Sequence, residues 1–267
     1  MATRIYWFSG TGNSFAVAKA LRDGLGGAEL VAVVQGLAGE DGAPAERIGL
    51  VFPVYGLGPP GIMKRFIARM PLPAGAYVFA VATCGGMMGA TMAIVNDLLR
   101  KRGSALAAGF GVKMVDNYPP FGGAPGRASQ QRTLEKADAA IAAIIERLKT
   151  WPAVTGIPRN PLWRIASRCV HWTFVRAFSG ADRKFHADGK CDGCGVCAKV
   201  CPVANIELAG GAPHWLGHCE QCYACFHWCP KQAIQYGRRT ARQVRYHHPA
   251  ATLADMRRAG ASPETPA

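Results

Sequence analysis

The first half of the chain repeats one pattern: a short unbroken apolar run, a glycine-rich or polar break, then a stretch whose apolar residues recur every three or four positions. The apolar runs are RIYWF (4–8), ELVAVV (29–34), RIGLVFPVY (47–55), YVFAVATC (77–84) and ALAAGFGVKMV (105–115). They are rich in β-branched and aromatic residues and do not alternate with polar ones, which predicts strands buried on both faces of a parallel sheet. Helical periods fall at Ser14–Leu25, Gly61–Met70, Thr91–Arg102 and Gln130–Thr150. Together they predict an α/β fold, a doubly wound five-stranded parallel sheet.

In such sheets a ligand sits beyond the carboxyl ends of the strands. The loops predicted there are SGTGNS after the first strand, PVYGLGPPG after the third, TCGGMMGA after the fourth and DNYPPFGGAPG after the fifth. All are rich in Gly, Pro and polar groups and poor in charge, and one ligand touching all four is the economical expectation. The uncharged run Met70–Asn96 has the length of a membrane span, but Pro71 and Pro73 open it and Gly85, Gly86 and Gly89 interrupt it. It is expected to be strand, loop and buried helix.

The pattern changes at Trp151, where Pro152, Pro158 and Pro161 mark a linker, 151–185, between a first domain (1–150) and a second (186–240). Within it, LWRIASRCVHWTFVRAF reads as a helix with Arg164 and Arg168 on one side and Leu162, Ile165, Cys169 and Trp172 on another. A basic amphipathic helix can make peripheral contact with a membrane or hold a partner, but the preferred expectation is that it packs the two domains together. Residues 241–267 form a basic tail, expected to be loosely ordered and solvated.

Composition adds charge and sulfur. The 267 residues carry a formal net charge of +14, which favours an acidic partner of some kind. Of ten cysteines, eight crowd into 191–229, a distribution that points to metal in a reducing cytoplasm rather than disulfides. The apolar run Ile5–Phe8 is too short for a secretion signal, so a cytoplasmic protein is expected. The eight cysteines form CDGCGVCAKVCP (191–202) and CEQCYACFHWCP (219–230), both C-x2-C-x2-C-x3-C-P. That spacing wraps three thiolates around one iron–sulfur cubane and sends the fourth to the other. Cys191, Cys194, Cys197 and Cys229 are therefore assigned to one 4Fe–4S cluster, and Cys219, Cys222, Cys225 and Cys201 to a second. Zinc is the competing reading, weakened by the double occurrence of four regularly spaced cysteines plus proline.

Residues Gly189–Tyr236 resemble a bacterial-type two-cluster ferredoxin, with VANIEL and KQAIQY placed like the short apolar elements which that family lays over each cluster. So small a module depends on its metal, and iron removal is expected to unfold it while the first 150 residues stay folded.

The opening loop SGTGNS lacks the lysine of a Walker loop, and Phe15 stands where a dinucleotide fingerprint needs its third glycine. Ser9, Thr11, Gly12, Asn13 and Ser14 match the flavodoxin phosphate loop T/S-x-T-G-N-T/S at every specified position. Hydroxyls and helix N-terminal N–H groups suit a phosphomonoester without any cationic side chain. The whole chain thus resembles the flavodoxin–ferredoxin fusion family, often spelled "ferrodoxin": a flavodoxin-like domain followed by a small α+β ferredoxin-like one.

That resemblance implies FMN, with its phosphate on the residues of the opening loop and its ring between Pro53, Val54, Tyr55, Gly56 and Thr83, Cys84, Gly85, Gly86. Tyr55 is the one plausible stacking residue in these loops, so one flavin face is expected to be open or covered by Tyr118.

Three functions compete. The first is electron transfer between FMN and the clusters, with an acidic redox partner, ferredoxin-like or a reductase, docking in a salt-sensitive way. The second is a flavin-dependent reductase of a small substrate fed by the clusters, in which Cys84 is a redox thiol or, by the plainer reading, a buried strand-end cysteine. The third, a nucleic-acid or membrane module, has the linker helix and Arg-rich tail as its only support, and no nucleic-acid-binding motif appears.

Overall fold

The computed structural model describes residues 2–40 and 45–260. The first domain runs β1 (Thr3–Trp7), α1 (Asn13–Gly24), β2 (Glu29–Ala32), α2 (Val33–Leu37), β3 (Arg47–Pro53), α3 (Gly61–Ile67), β4 (Tyr77–Cys84), α4 (Thr91–Arg100), β5 (Leu106–Lys113) and α5 (Arg127–Lys149). All five strands pair in parallel in the order β2-β1-β3-β4-β5, the flavodoxin-like doubly wound arrangement. β3 and β4 are buried over almost their whole length, as continuous apolar runs in a covered parallel sheet must be. Phe15, Val17 and Leu21 of α1 and Ile141, Ile144 and Leu148 of α5 pack on one face with Ile5, Val51 and Val81. Ile62, Met63 and Phe66 of α3 and Met92, Val95 and Leu99 of α4 pack on the other with Tyr6, Leu50 and Ala80.

One element departs from the sequence pattern. ELVAVV reads as strand to Val34, yet the strand ends at Ala32 and a short helix begins. Gln35 Oε1 accepts the Ala32 N–H at 3.0 Å and caps that helix, a local bond that an apolar run does not reveal. The linker then shields the outer edge of β5: Val154 bridges Ala108 in parallel, and its carbonyl accepts the Gly109 N–H at 2.7 Å.

The remaining elements are α6 (Pro161–Arg176), β6 (Phe185–Ala187), α7 (Val196–Lys199), β7 (Ile206–Ala209), β8 (Ala212–Trp215), α8 (Ala224–His227), β9 (Ile234–Tyr236) and α9 (Leu253–Gly260). β6 pairs with β9 and β7 with β8, both antiparallel, around a small core of Phe185, Ile206, Tyr223, Phe226 and Ile234. This α+β module is continuous with the first domain, because Val196, Val200, Ala224 and Trp228 join the same apolar cluster as Trp7 and Phe15.

Beyond Gly237 the expectation of a solvated tail is corrected as far as Arg257. Tyr246, Ala251 and Met256 are buried, and the segment crosses back over the start of α1. Apolar anchors among the arginines, rather than charge, decide its path. The last residues, 261–267, lie outside the described residues.

Candidate functional site

Where β1, β3, β4 and β5 end, their loops enclose a cavity of about 400 Å³. Ser9, Thr11, Asn13 and Ser14 line it from the first loop, Pro53–Gly56 from the third strand, Thr83–Gly86 from the fourth, and Val115–Tyr118 from the fifth. Of the cofactor residues expected from the sequence, Gly12 alone is absent from the wall. It faces the C-terminal strap instead: its φ is 91°, and a Cβ there would lie 2.5 Å from Cβ of Ala251.

The first loop is held rigidly. Ser9 Oγ accepts the Gly12 N–H at 3.0 Å, Asn13 Nδ2 donates to the Val115 carbonyl at 3.0 Å, and Ser14 and Thr83 share a hydroxyl hydrogen bond of 2.8 Å. Asn117 Nδ2 donates to Thr11 Oγ1 at 2.8 Å. The strap closes it from behind, with Tyr246 Oη donating to Asn13 Oδ1 at 2.7 Å and the His248 N–H donating to the Thr11 carbonyl at 2.9 Å. Helix α1 starts here with no side-chain cap and no acidic residue in its first turn, leaving its first N–H groups to attract an anion. Among the described residues no lysine or arginine lines the cavity, and Asp116 is the one acidic wall residue.

Two further walls were not visible in the linear pattern. Val170, Phe174 and Phe178 enter from α6 and its continuation, and Gln221, Cys222 and Tyr223 from the second cysteine module. Ser167, His171, Phe174 and Phe178 recur at helical spacing, and that stripe is the signal that would have marked α6 as part of the site. The rings interlock: Tyr118 lies 5.8 Å from Phe174 and 5.3 Å from Tyr223, and Tyr55 lies 6.1 Å from Phe178, all as ring centroids. Burial pushes the Tyr55 hydroxyl and the Cys84 thiol up, so both stay neutral near neutral pH. A protonated Cys84 is a poor nucleophile.

His171 fixes α6 to the loop of the third strand. Its Nδ1 lies 2.9 Å from the Tyr55 carbonyl and therefore donates, which leaves Nε2 as acceptor for Lys64 Nζ at 3.4 Å. Burial holds its pKa below the ordinary 6.5. Below that ordinary value the unfolded chain binds a proton that the folded one refuses, so this contribution to stability is complete above about pH 6.5 and is lost as pH falls. For the native protein, denaturant midpoints should be lower below that pH than above it. They should fall less for His171→Gln, and equal losses would show that His171 does not titrate this contact.

The eight clustered cysteines are all free, as are Cys84 and Cys169. Cys201, Cys219, Cys222 and Cys225 line one small hollow, and Cys191, Cys194, Cys197 and Cys229 line another. Among the described residues no three His, Cys, Asp or Glu side chains are arranged to hold a single metal ion. Backbone N–H groups point at three sulfurs: Asn205 at Cys201 (3.2 Å), Gln221 at Cys219 (3.3 Å) and Ala233 at Cys229 (3.2 Å). Burial pushes the thiol of Cys197 to about 11 and that of Cys219 to about 12.

Cys222 belongs to two walls at once, that of the large cavity and that of the first hollow. Its carbonyl is pressed against Gly10, where a Cβ would come within 2.2 Å of the oxygen, and Trp228 Nε1 donates to the Gly10 carbonyl at 3.0 Å.

The fold is a flavodoxin-like doubly wound one whose strand-end cavity is completed by a cysteine-rich module. No protein-family model matches the chain, and no curated protein matches it. Solved structures similar in part include the Trp repressor binding protein from Bacillus subtilis, 15% identical over 55% of this chain and 96% of that one, TM-score 0.40. A flavodoxin from the domain Archaea is 17% identical over 55% and 99%, TM-score 0.35. The two-electron reduced flavodoxin of Megasphaera elsdenii is 18% identical over 52% and 98%, TM-score 0.31. Among the described residues no helix is long and apolar enough to cross a membrane.

Proposed function

We propose that the cavity binds FMN, that the two cysteine-lined hollows each hold a 4Fe–4S cluster, and that the chain is an electron-transfer protein of the flavodoxin–ferredoxin fusion type. The observation that carries this reading is Cys222, shared by the cavity wall and one cysteine-lined hollow. When bound, the flavin takes one or two electrons and each cluster takes one, so such a chain links one-electron donors to a two-electron acceptor.

The residues present fit these groups. Ser9, Thr11 and Ser14 offer hydroxyls, and the uncapped start of α1 offers N–H groups, to a phosphomonoester. Tyr55, Tyr118 and Phe174 offer apolar surface to a flat ring. Each hollow is lined by four cysteines, the ligand number of a 4Fe–4S cluster, and N–H groups aimed at three of the sulfurs would stabilise their charge. The ring of Cys201, Cys219, Cys222 and Cys225 is the inner one; the other includes the exposed Cys194 and is the natural port for an acidic redox partner.

A second reading, reduction of a small substrate at the flavin, is favoured by the apolar lip of the cavity, where Phe121 is 78% and Met87 61% exposed.

Titrating flavin-free protein with FMN and with riboflavin, followed by flavin fluorescence, tests the cavity assignment. FMN should bind at least about tenfold more tightly than riboflavin, because hydrogen bonds to a charged phosphate are the strong ones. Equal affinities would remove the phosphate role of the first loop.

A further inference from the structure

The apolar side of α6 faces solvent. A helix packed on a domain ordinarily turns its apolar stripe inward. Here the inward side carries Ser167 and His171, the helix's two buried residues, while Leu162, Ile165, Cys169 and Trp172 lie on the opposite side. Leu162 is 74% exposed, and Ile165 and Trp172 are 60% exposed. Expected to pack the two domains together, the helix lays its other side on the first domain, His171 on Tyr55 and Phe174 on Tyr118, and leaves this stripe without a partner among the described residues.

Charge surrounds the stripe with one sign. No aspartate or glutamate occurs from Trp151 to Ala181, whereas Arg159, Arg164, Arg168 and Arg176 do. Arg168 is paired with Asp97 at 2.5 Å, but Arg159, Arg164 and Arg176 form no salt bridge among the described residues. The guanidinium of Arg176 sits 4.6 Å over the Trp172 ring, so an interfacial aromatic and a cation present themselves together.

We propose that α6 docks the protein on an anionic lipid surface, with Leu162, Ile165 and Trp172 inserted at the headgroup boundary and Arg159 and Arg176 on lipid phosphates. A single helix with protruding apolar side chains and basic flanks suits a deformable anionic plane. A second copy would bring the same unpaired arginines against each other. The proposal holds whatever the cavity contains.

The test is co-sedimentation of the full-length protein, as purified with its cofactors, with vesicles of phosphatidylcholine alone or containing phosphatidylglycerol. Binding to the anionic vesicles should be at least about tenfold stronger. It should be lost in the triple variant Leu162→Glu, Ile165→Glu, Trp172→Glu, and should weaken in Arg159→Gln with Arg176→Gln, the circular dichroism of both remaining native. No sedimentation with anionic vesicles, or sedimentation that the triple variant leaves unchanged, would overturn the proposal. So would a lipid-free dimer that the triple variant converts to monomer, since the stripe would then belong to a second copy.

Discussion

With the proposed clusters and FMN in place, chelating the iron from anaerobic protein is expected to weaken FMN binding at least about tenfold, although seven of the eight clustered cysteines lie outside the cavity wall. The route runs through the strap. Arg245 donates to the carbonyls of Phe226 at 2.8 Å and Ile234 at 2.9 Å, and its guanidinium lies over the Phe226 ring. The next residue, Tyr246, gives its N–H to His227 Nδ1 and its hydroxyl to Asn13. The small core under these contacts includes Cys197, Cys201 and Cys225 beside its aromatic residues, so loss of the proposed clusters would loosen it. Asn13 and Thr11 then each lose a hydrogen bond worth about 1 kcal/mol, and two such bonds exceed the 1.4 kcal/mol that corresponds to a factor of ten. This differs from an independent first domain: the sheet would persist, but its first loop would not keep its shape. FMN titrations before and after chelation would show it, and unchanged affinity would mean that the strap is seated without the metal.

Gly10→Ala is expected to destabilise the protein by about 2 kcal/mol or more and to release flavin. The backbone at Gly10 does not require glycine, so the cost comes from its neighbour. The added Cβ would meet the Cys222 carbonyl oxygen at 2.2 Å, a backbone atom that no rotamer change can move. To make room, the second cysteine module must back away from the first loop, breaking the bond from Trp228 to Gly10 and opening the wall that Cys222 closes. Gly126→Ala is the control, because nothing lies within 4 Å of its Cβ. Urea unfolding and flavin content of both variants measure the difference. Equal stability would show that the junction at Cys222 is loose.

The strands were legible in the sequence because a parallel sheet covered on both faces demands continuous apolar runs, and Ile48–Phe52 and Val78–Ala82 are short, β-branched or aromatic runs of that kind. Helix α2 was hidden because Val33 and Val34 read as more strand, while the bond that turns the chain is made by Gln35. The four strand-end loops were legible as polar and glycine-rich breaks, and all four meet in the cavity. Helix α6 carries two stripes, and the more hydrophobic one is outside; hydrophobicity alone therefore pointed away from Phe174 and His171. The strap was illegible for a different reason: the contact between Tyr246 and Asn13 spans 233 residues, and no local pattern encodes it.

Iron, acid-labile sulfide and released flavin, counted per chain in protein purified without oxygen and followed optically through dithionite reduction, would decide whether flavin and clusters share this chain. About eight irons and one FMN per chain, both bleaching on reduction, are expected. Fully iron-loaded protein that takes up no flavin would contradict the assignment of the cavity beside Cys222, and flavin-loaded protein that never acquires iron would contradict that of the two cysteine-lined hollows.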